Sequence, residues 1–295
     1  MSARLRSPAW LLEAFVAANL LVLVGDVALA HSVNAFRHPA EWIPLAFAAP
    51  AGLVVGGLLL TPDPRGGAGR WIGEIVGWCA VGVGVAGLLW HLSGEFFDRA
   101  TLASLVYSAP FVAPLAFTGL GLLLLLNRRS DAASDPSWGR WVLFLALAGI
   151  AGNFGLALTD HARNGFFDAR EWIAVVAAAA GVGGVSVAVL WPRSGPALRV
   201  TWVALGVQVV AGGLGFVLHN LPLVVEPAAG EGLWDRVVFG PPLLAPLLFA
   251  NLAVPAALGL WVLGRSLPPS GIGIPQPANG RQGLHPPHRP GRVRL

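Results

Sequence analysis

Eight long apolar runs constrain this chain more than any other feature. They are Ala9–Ala30, Trp42–Leu60, Trp71–Leu92, Leu102–Leu126, Trp141–Asp160, Trp172–Trp191, Val200–Asn220 and Pro242–Gly264. About 20 mainly apolar residues cross the roughly 30 Å of bilayer hydrocarbon as a helix. Lipid offers the backbone no hydrogen-bond partners, so helices or closed barrels are the available spanning forms, and these runs are too long and too evenly apolar for barrel strands. The sequence therefore predicts an all-α polytopic membrane bundle of about eight transmembrane helices. Composition agrees: only 12% of the 295 residues are charged, against about 25% in soluble domains.

The net charge of +4 is carried by 19 basic residues, all Arg. They do not form one patch, so nucleic acid is not the expected partner; the lipid bilayer is. With the N-terminus placed in the cytoplasm, 14 of the 19 fall in inner loops or tails, and Arg37, Arg99, Arg163, Arg170 and Arg236 fall outside. That bias predicts a multi-pass protein of the cell (inner) membrane, in a bacterial setting, with both ends cytoplasmic. Trp10, Trp71, Trp141 and Trp202 open the outward-going helices, where indole rings suit the interface. Cys79 is the single cysteine, which excludes an intrachain disulfide, a cysteine zinc site and c-type haem attachment.

An internal repeat organises the runs. His31, Asn34, Phe36, Glu41, Trp42 and Ile43 recur, at a constant offset of 130 residues, as His161, Asn164, Phe166, Glu171, Trp172 and Ile173. Two weaker copies interleave, at His91 and at His219, and their returning helices share Ala113–Leu115 and Ala245–Leu247. The expected architecture is four helix–loop–helix hairpins in two parallel four-helix halves. Residues 1–130 form the first half and 131–267 the second. Residues 268–295, rich in Pro, Gly and Arg, form a disordered cytoplasmic tail. Glycines within the runs, such as Gly82, Gly84 and Gly87, favour close helix packing.

The repeat gathers chemistry at one end. His31, His91, His161 and His219 each close an outward-going helix, and most carboxylates lie on the same side. Imidazole with carboxylate is the donor set for zinc, manganese, iron or copper(II). His31, His91, His161, His219, Asp160, Glu41 and Glu171 are the candidate ligands or ligand-orienting groups, for a transition metal or for b-type haem held by paired His. Asn34 and Asn164 share a face with their His if the helices continue into the loops. The structural alternative is that these residues cap helices, bond loops and anchor the interface. A repeat copies structural residues as readily as functional ones.

Other readings use other residues. Phe36, Trp42, Phe166, Phe167 and Trp172 would dock other membrane subunits if the protein is a non-enzymatic scaffold. Glu13, Asp26, Glu74, Asn153 and Gln208 are polar groups within the spans. Such groups face a protein interior or a wet cavity, so a small transporter is a third reading, with Asn153, Asp160 and Asp26 along its route. Asn153, Asp160 and Asn164 form one stripe, and Gln208 and His219 sit eleven apart. Ala28-Leu29-Ala30 fits a signal-peptidase site before His31, but the apolar stretch is long for a signal peptide and contains Glu13 and Asp26. It is expected to remain uncleaved. No nucleotide-binding, serine-hydrolase or zinc-protease motif is present.

Overall fold

The computed structural model describes residues 7–130, 135, 137–225 and 232–265, and among these it is helical with no strands. The helices are α1 (Pro8–Ser32), α2 (Ile43–Leu59, continuing a 3-10 turn at Pro39–Trp42), α3 (Gly67–Ser93), α4 (Glu95–Arg99), α5 (Leu102–Tyr107), α6 (Leu115–Arg129), α7 (Trp138–Arg163), α8 (Glu171–Leu190), α9 (Gly195–Val225), α10 (Leu233–Phe239) and α11 (Leu247–Arg265). The expected tail lies outside the described residues, as do His285, His288, Glu226 and Glu231.

Seven of these helices are long and apolar enough to cross a membrane. The eighth expected span, Leu102–Leu126, is not one helix. It divides into α5 and α6, and α6 has 15 residues, only about 22 Å at 1.5 Å per residue. Proline chemistry explains the break. Pro110 and Pro114 lack the N–H that continues a helix, and the residue before each proline is pushed from helical geometry. Pro241, Pro242 and Pro246 act similarly before α11, which starts five residues later than the sequence predicts.

The distribution of polarity identifies the solvent. Glu13, Asn153, Thr201 and Gln208 are buried, at 4% exposure or less, while Val203 and Val210 of the same α9 that buries Gln208 are 71% and 70% exposed. Contiguous exposed apolar surface on this scale has no place in water. The protein is membrane-embedded.

α1 packs on α2, α3 on α6, α7 on α8 and α9 on α11; α7 with α11 and α8 with α9 complete a closed four-helix ring. Among α1–α6 the α2–α3 contact is slight. One core cluster bridges the two groups and another lies within the ring. One cluster joins α1, α2 and α6 to Trp138, Val142 and Leu258. A second lies within α7, α8, α9 and α11. Asn251 of α11 donates to Asn19 Oδ1 of α1, a polar tie across the two groups.

Candidate functional site

The loop after α1 and the loop after α7 fold alike, for reasons visible in their residues. Phe36 N–H donates to the His31 carbonyl at 3.3 Å, and Phe166 N–H to that of His161 at 3.2 Å. Closing the chain this tightly requires positive φ: 53° at Ala35 and 50° at Phe36, 71° at Gly165 and 52° at Phe166. The phenyl ring then stacks on the tryptophan that opens the return helix. Phe36 lies 4.3 Å from Trp42 and Phe166 4.2 Å from Trp172. The repeated Phe and Trp are thus engaged within the loop, while Phe167 remains 80% exposed. Asn34 and Asn164 are exposed. α1 ends at Ser32, and Asn164 is the C-cap of α7, so the helices do not continue through either Asn, the condition on which a face shared with its His depended.

Gly165 meets no atom within 4 Å where a side chain would sit, so a left-handed backbone is the only cost of a substitution there, about 1 kcal/mol. Thermal unfolding in detergent should therefore show Gly165→Ala losing about 1 kcal/mol and Ala35→Gly gaining about as much. Changes of the same sign in both would contradict the loop geometry.

Each of the four histidines reaches back to the segment that begins the next long helix. His31 Nδ1–H donates to the Glu41 carbonyl at 3.1 Å, His91 to Pro110 at 3.0 Å and His219 to Pro242 at 3.0 Å. His161 Nδ1 instead lies 3.5 Å from the Glu171 carboxylate. A carbonyl oxygen only accepts, so at His31, His91 and His219 the hydrogen of the neutral ring sits on Nδ1 and Nε2 keeps its lone pair. Sequence reading found the histidines but not this shared contact, because spacing does not show where a carbonyl points.

The histidines do not converge on one point. Among the described residues, no three His, Cys, Asp or Glu side chains are grouped to hold a metal ion. The single four-histidine centre is therefore not assembled. Contiguity falls to smaller sets. His31 and His91 are in ring contact, centroids 6.3 Å apart, with Glu41 in electrostatic reach of His91. Asp160 is in reach of His161, His219 and Arg163. Glu41 Oε2 is buried with no hydrogen-bond partner among the described residues, and Glu171 Oε2 has only its 3.5 Å approach to His161. At the start of α8, Arg170 holds the half-buried Asp168 carboxyl down to about 2 through side-chain and backbone hydrogen bonds. Its ionised contribution is complete above the ordinary carboxylate range and is lost as pH falls through about 2.

Two arginines matter in ways the sequence reading missed. Arg163 donates to the Val106 carbonyl at 2.6 Å and to that of Ser108, fastening α7 to the C-terminal end of α5. Arg128, counted only as an inner-loop charge, is buried and pairs with Glu13; it also donates to the Pro64 carbonyl. Asn127 adds bonds to the Ala9 carbonyl at 2.9 Å and to Glu13 at 3.4 Å. The available signal was Glu13 itself, since a carboxylate within a span demands a cation. Glu74 pairs with Arg70 at 3.1 Å and Arg129 at 3.4 Å. Asp26 is half-buried on α1. Asn153 and Gln208 lie inside the α7–α11 group.

No protein-family model matches the sequence, and no curated protein or solved structure is similar to it.

Proposed function

We propose that this chain is a multi-pass membrane protein whose His31–His91 pair ligates a transition metal, as a bare ion or as the iron of a b-type haem, for metal handling or redox chemistry. The observation that carries this reading is the 6.3 Å ring separation of two histidines whose Nδ1 atoms are already engaged. A metal–nitrogen bond of about 2.05 Å and a nitrogen-to-centroid distance of about 1.15 Å place two rings on opposite sides of one metal at about 6.4 Å. Fixing Nδ1 by a carbonyl is also how protein groups orient a ligating imidazole. Glu41, with its unpartnered oxygen, is the nearby carboxylate that would adjust the charge.

The same reading takes the chain through the membrane eight times, as four hairpins in two parallel halves, with α6 as a short eighth crossing. Its support is the repeated Ala-Pro-Leu that leads into both α6 and α11, and the packing of each on the preceding long helix. An even number of crossings and the Arg bias put both ends in the cytoplasm and the histidines on the opposite face of an inner membrane. The bilayer is then its solvent, and other membrane subunits would meet it through exposed Phe167, Trp42 and Trp172.

Metal analysis and the visible spectrum of detergent-purified protein test the ligation. The expected result is one metal per chain, with a Soret band if it is haem, lost in His91→Ala and retained in His219→Ala. His219 makes the same Nδ1–carbonyl bond but has no ring partner among the described histidines, so it controls for loosening of a hairpin. Metal at background in the wild type, or equal loss in both variants, would overturn the assignment.

A further inference from the structure

We propose that the pocket between the C-terminal end of α9 and α10 binds the headgroup of a phospholipid that carries a primary ammonium beside its phosphate. Arg236 holds the phosphate, and Asp235 with His219 Nε2 holds the ammonium. The inference is independent of metal ligation.

A cavity of about 300 Å³ lies at the histidine end of the bundle, with His219, Pro222, Asp235, Arg236, Phe239 and Leu243 in its wall. That volume is at the small end of ligand sites, which suits a headgroup whose chains stay in the lipid. The setting is the membrane interface. α10 leaves Leu233, Trp234 and Phe239 exposed, and a short helix that shows apolar and aromatic side chains beside charged ones belongs where hydrocarbon gives way to headgroups.

Charge identifies the ligand. Asp235 and Arg236 line the same cavity with opposite signs. The Asp235 carboxylate has no hydrogen-bond or ion-pair partner among the described residues. Arg236 gives Nη2 to the Pro222 carbonyl, one of the acceptors that the end of α9 leaves over, and has no carboxylate partner among the described residues. The first half shows what is missing. Asp98 and Arg99 repeat the dipeptide on α4, and there Glu95, one turn earlier, meets Arg99 at 3.8 Å. Gly232 stands at the same place before Arg236, so α10 offers its arginine no carboxylate. Charges of both signs left unpaired in one pocket suit a ligand that carries both. A phospholipid headgroup is the molecule at this level of a membrane that joins a phosphate to an ammonium.

His219 decides which ammonium. Its Nδ1 donates to the Pro242 carbonyl at 3.0 Å, so Nε2 keeps a lone pair and accepts. A primary ammonium offers N–H donors to Nε2 and to Asp235, whereas a trimethylammonium offers none.

Lipid titration of the detergent-purified full chain, followed by native mass spectrometry, tests the site. Phosphatidylethanolamine should bind about tenfold tighter than phosphatidylcholine with the same acyl chains, the effect of one charge-assisted hydrogen bond. Asp235→Asn removes a charge that has no protein partner to lose, and should bring the two lipids within about twofold of each other. Arg236→Gln should weaken both by about fivefold or more, and Arg99→Gln, outside the pocket, should weaken neither. Equal binding of the two lipids to the wild type, or a preference that survives Asp235→Asn, would overturn the site. Displacement of the lipid by equimolar O-phosphoethanolamine would overturn the lipid as its occupant.

Discussion

Arg128→Ala should destabilise the protein by about 3–5 kcal/mol, because it leaves the partner charge of a buried ion pair uncompensated. The Arg128 side chain is fully buried and that of Glu13 is 1% exposed. Together they join α1, α6 and the turn before α3, since Arg128 also donates to the Pro64 carbonyl. Asn127 Nδ2 holds the other Glu13 oxygen and the Ala9 carbonyl. Gly73 lets the guanidinium lie against α3: a methyl there would stand 2.2 Å from Arg128 Nε. Removing the cation therefore breaks a junction of three elements. The double variant Glu13→Leu/Arg128→Met should recover most of the loss, because apolar residues of similar volume often replace a buried pair without penalty. Unfolding in detergent, followed by helical circular dichroism, measures both. A cost below about 1 kcal/mol for Arg128→Ala would place the pair in the range of solvated surface bridges instead.

Gly84→Ala should cost about 1–3 kcal/mol, the usual penalty for overpacking a well-filled contact. The close packing of α3 on α6 is the cause. A methyl at residue 84 would lie 2.2 Å from Thr118 Oγ1, 2.6 Å from Thr118 N and 2.8 Å from the Pro114 carbonyl. Two of those atoms are backbone and cannot swing aside, so the helices must separate. Gly82, two residues earlier, has no atom within 4 Å of the same position. There alanine should gain up to about 1 kcal/mol from its better helix propensity. Opposite signs at neighbouring glycines would be read by the same unfolding measurement. If both substitutions stabilise, α3 and α6 are further apart than described.

The contrast between those glycines shows how far sequence reading reaches. Gly82, Gly84 and Gly87 look equivalent as small residues in one apolar run, yet Gly84 and Gly87 face α6 and its entry while Gly82 faces open space. A run that is apolar all round has no stripe from which to read which side meets a helix and which meets lipid. The histidines show the same limit. Their recurrence at a 130-residue offset was plain, and so was their place at helix ends. That His31 touches His91, while no group of three donors forms among the described residues, depended on the lateral order of the helices.

Hydropathy alone determined that this is a helical chain embedded in a membrane, because lipid leaves so few ways to satisfy a backbone. Proline positions carried the division of α5 from α6, but the eight-span reading passed over them because mean hydropathy does not register a missing N–H. Tertiary structure alone decided the partners of the polar groups. Glu13 met Arg128 across 115 residues, Asn19 met Asn251 across 232, and His31 met His91. Within a span, pairing depends on which helices lie side by side and how each is turned, and that arrangement arises from side-chain packing between segments distant in sequence.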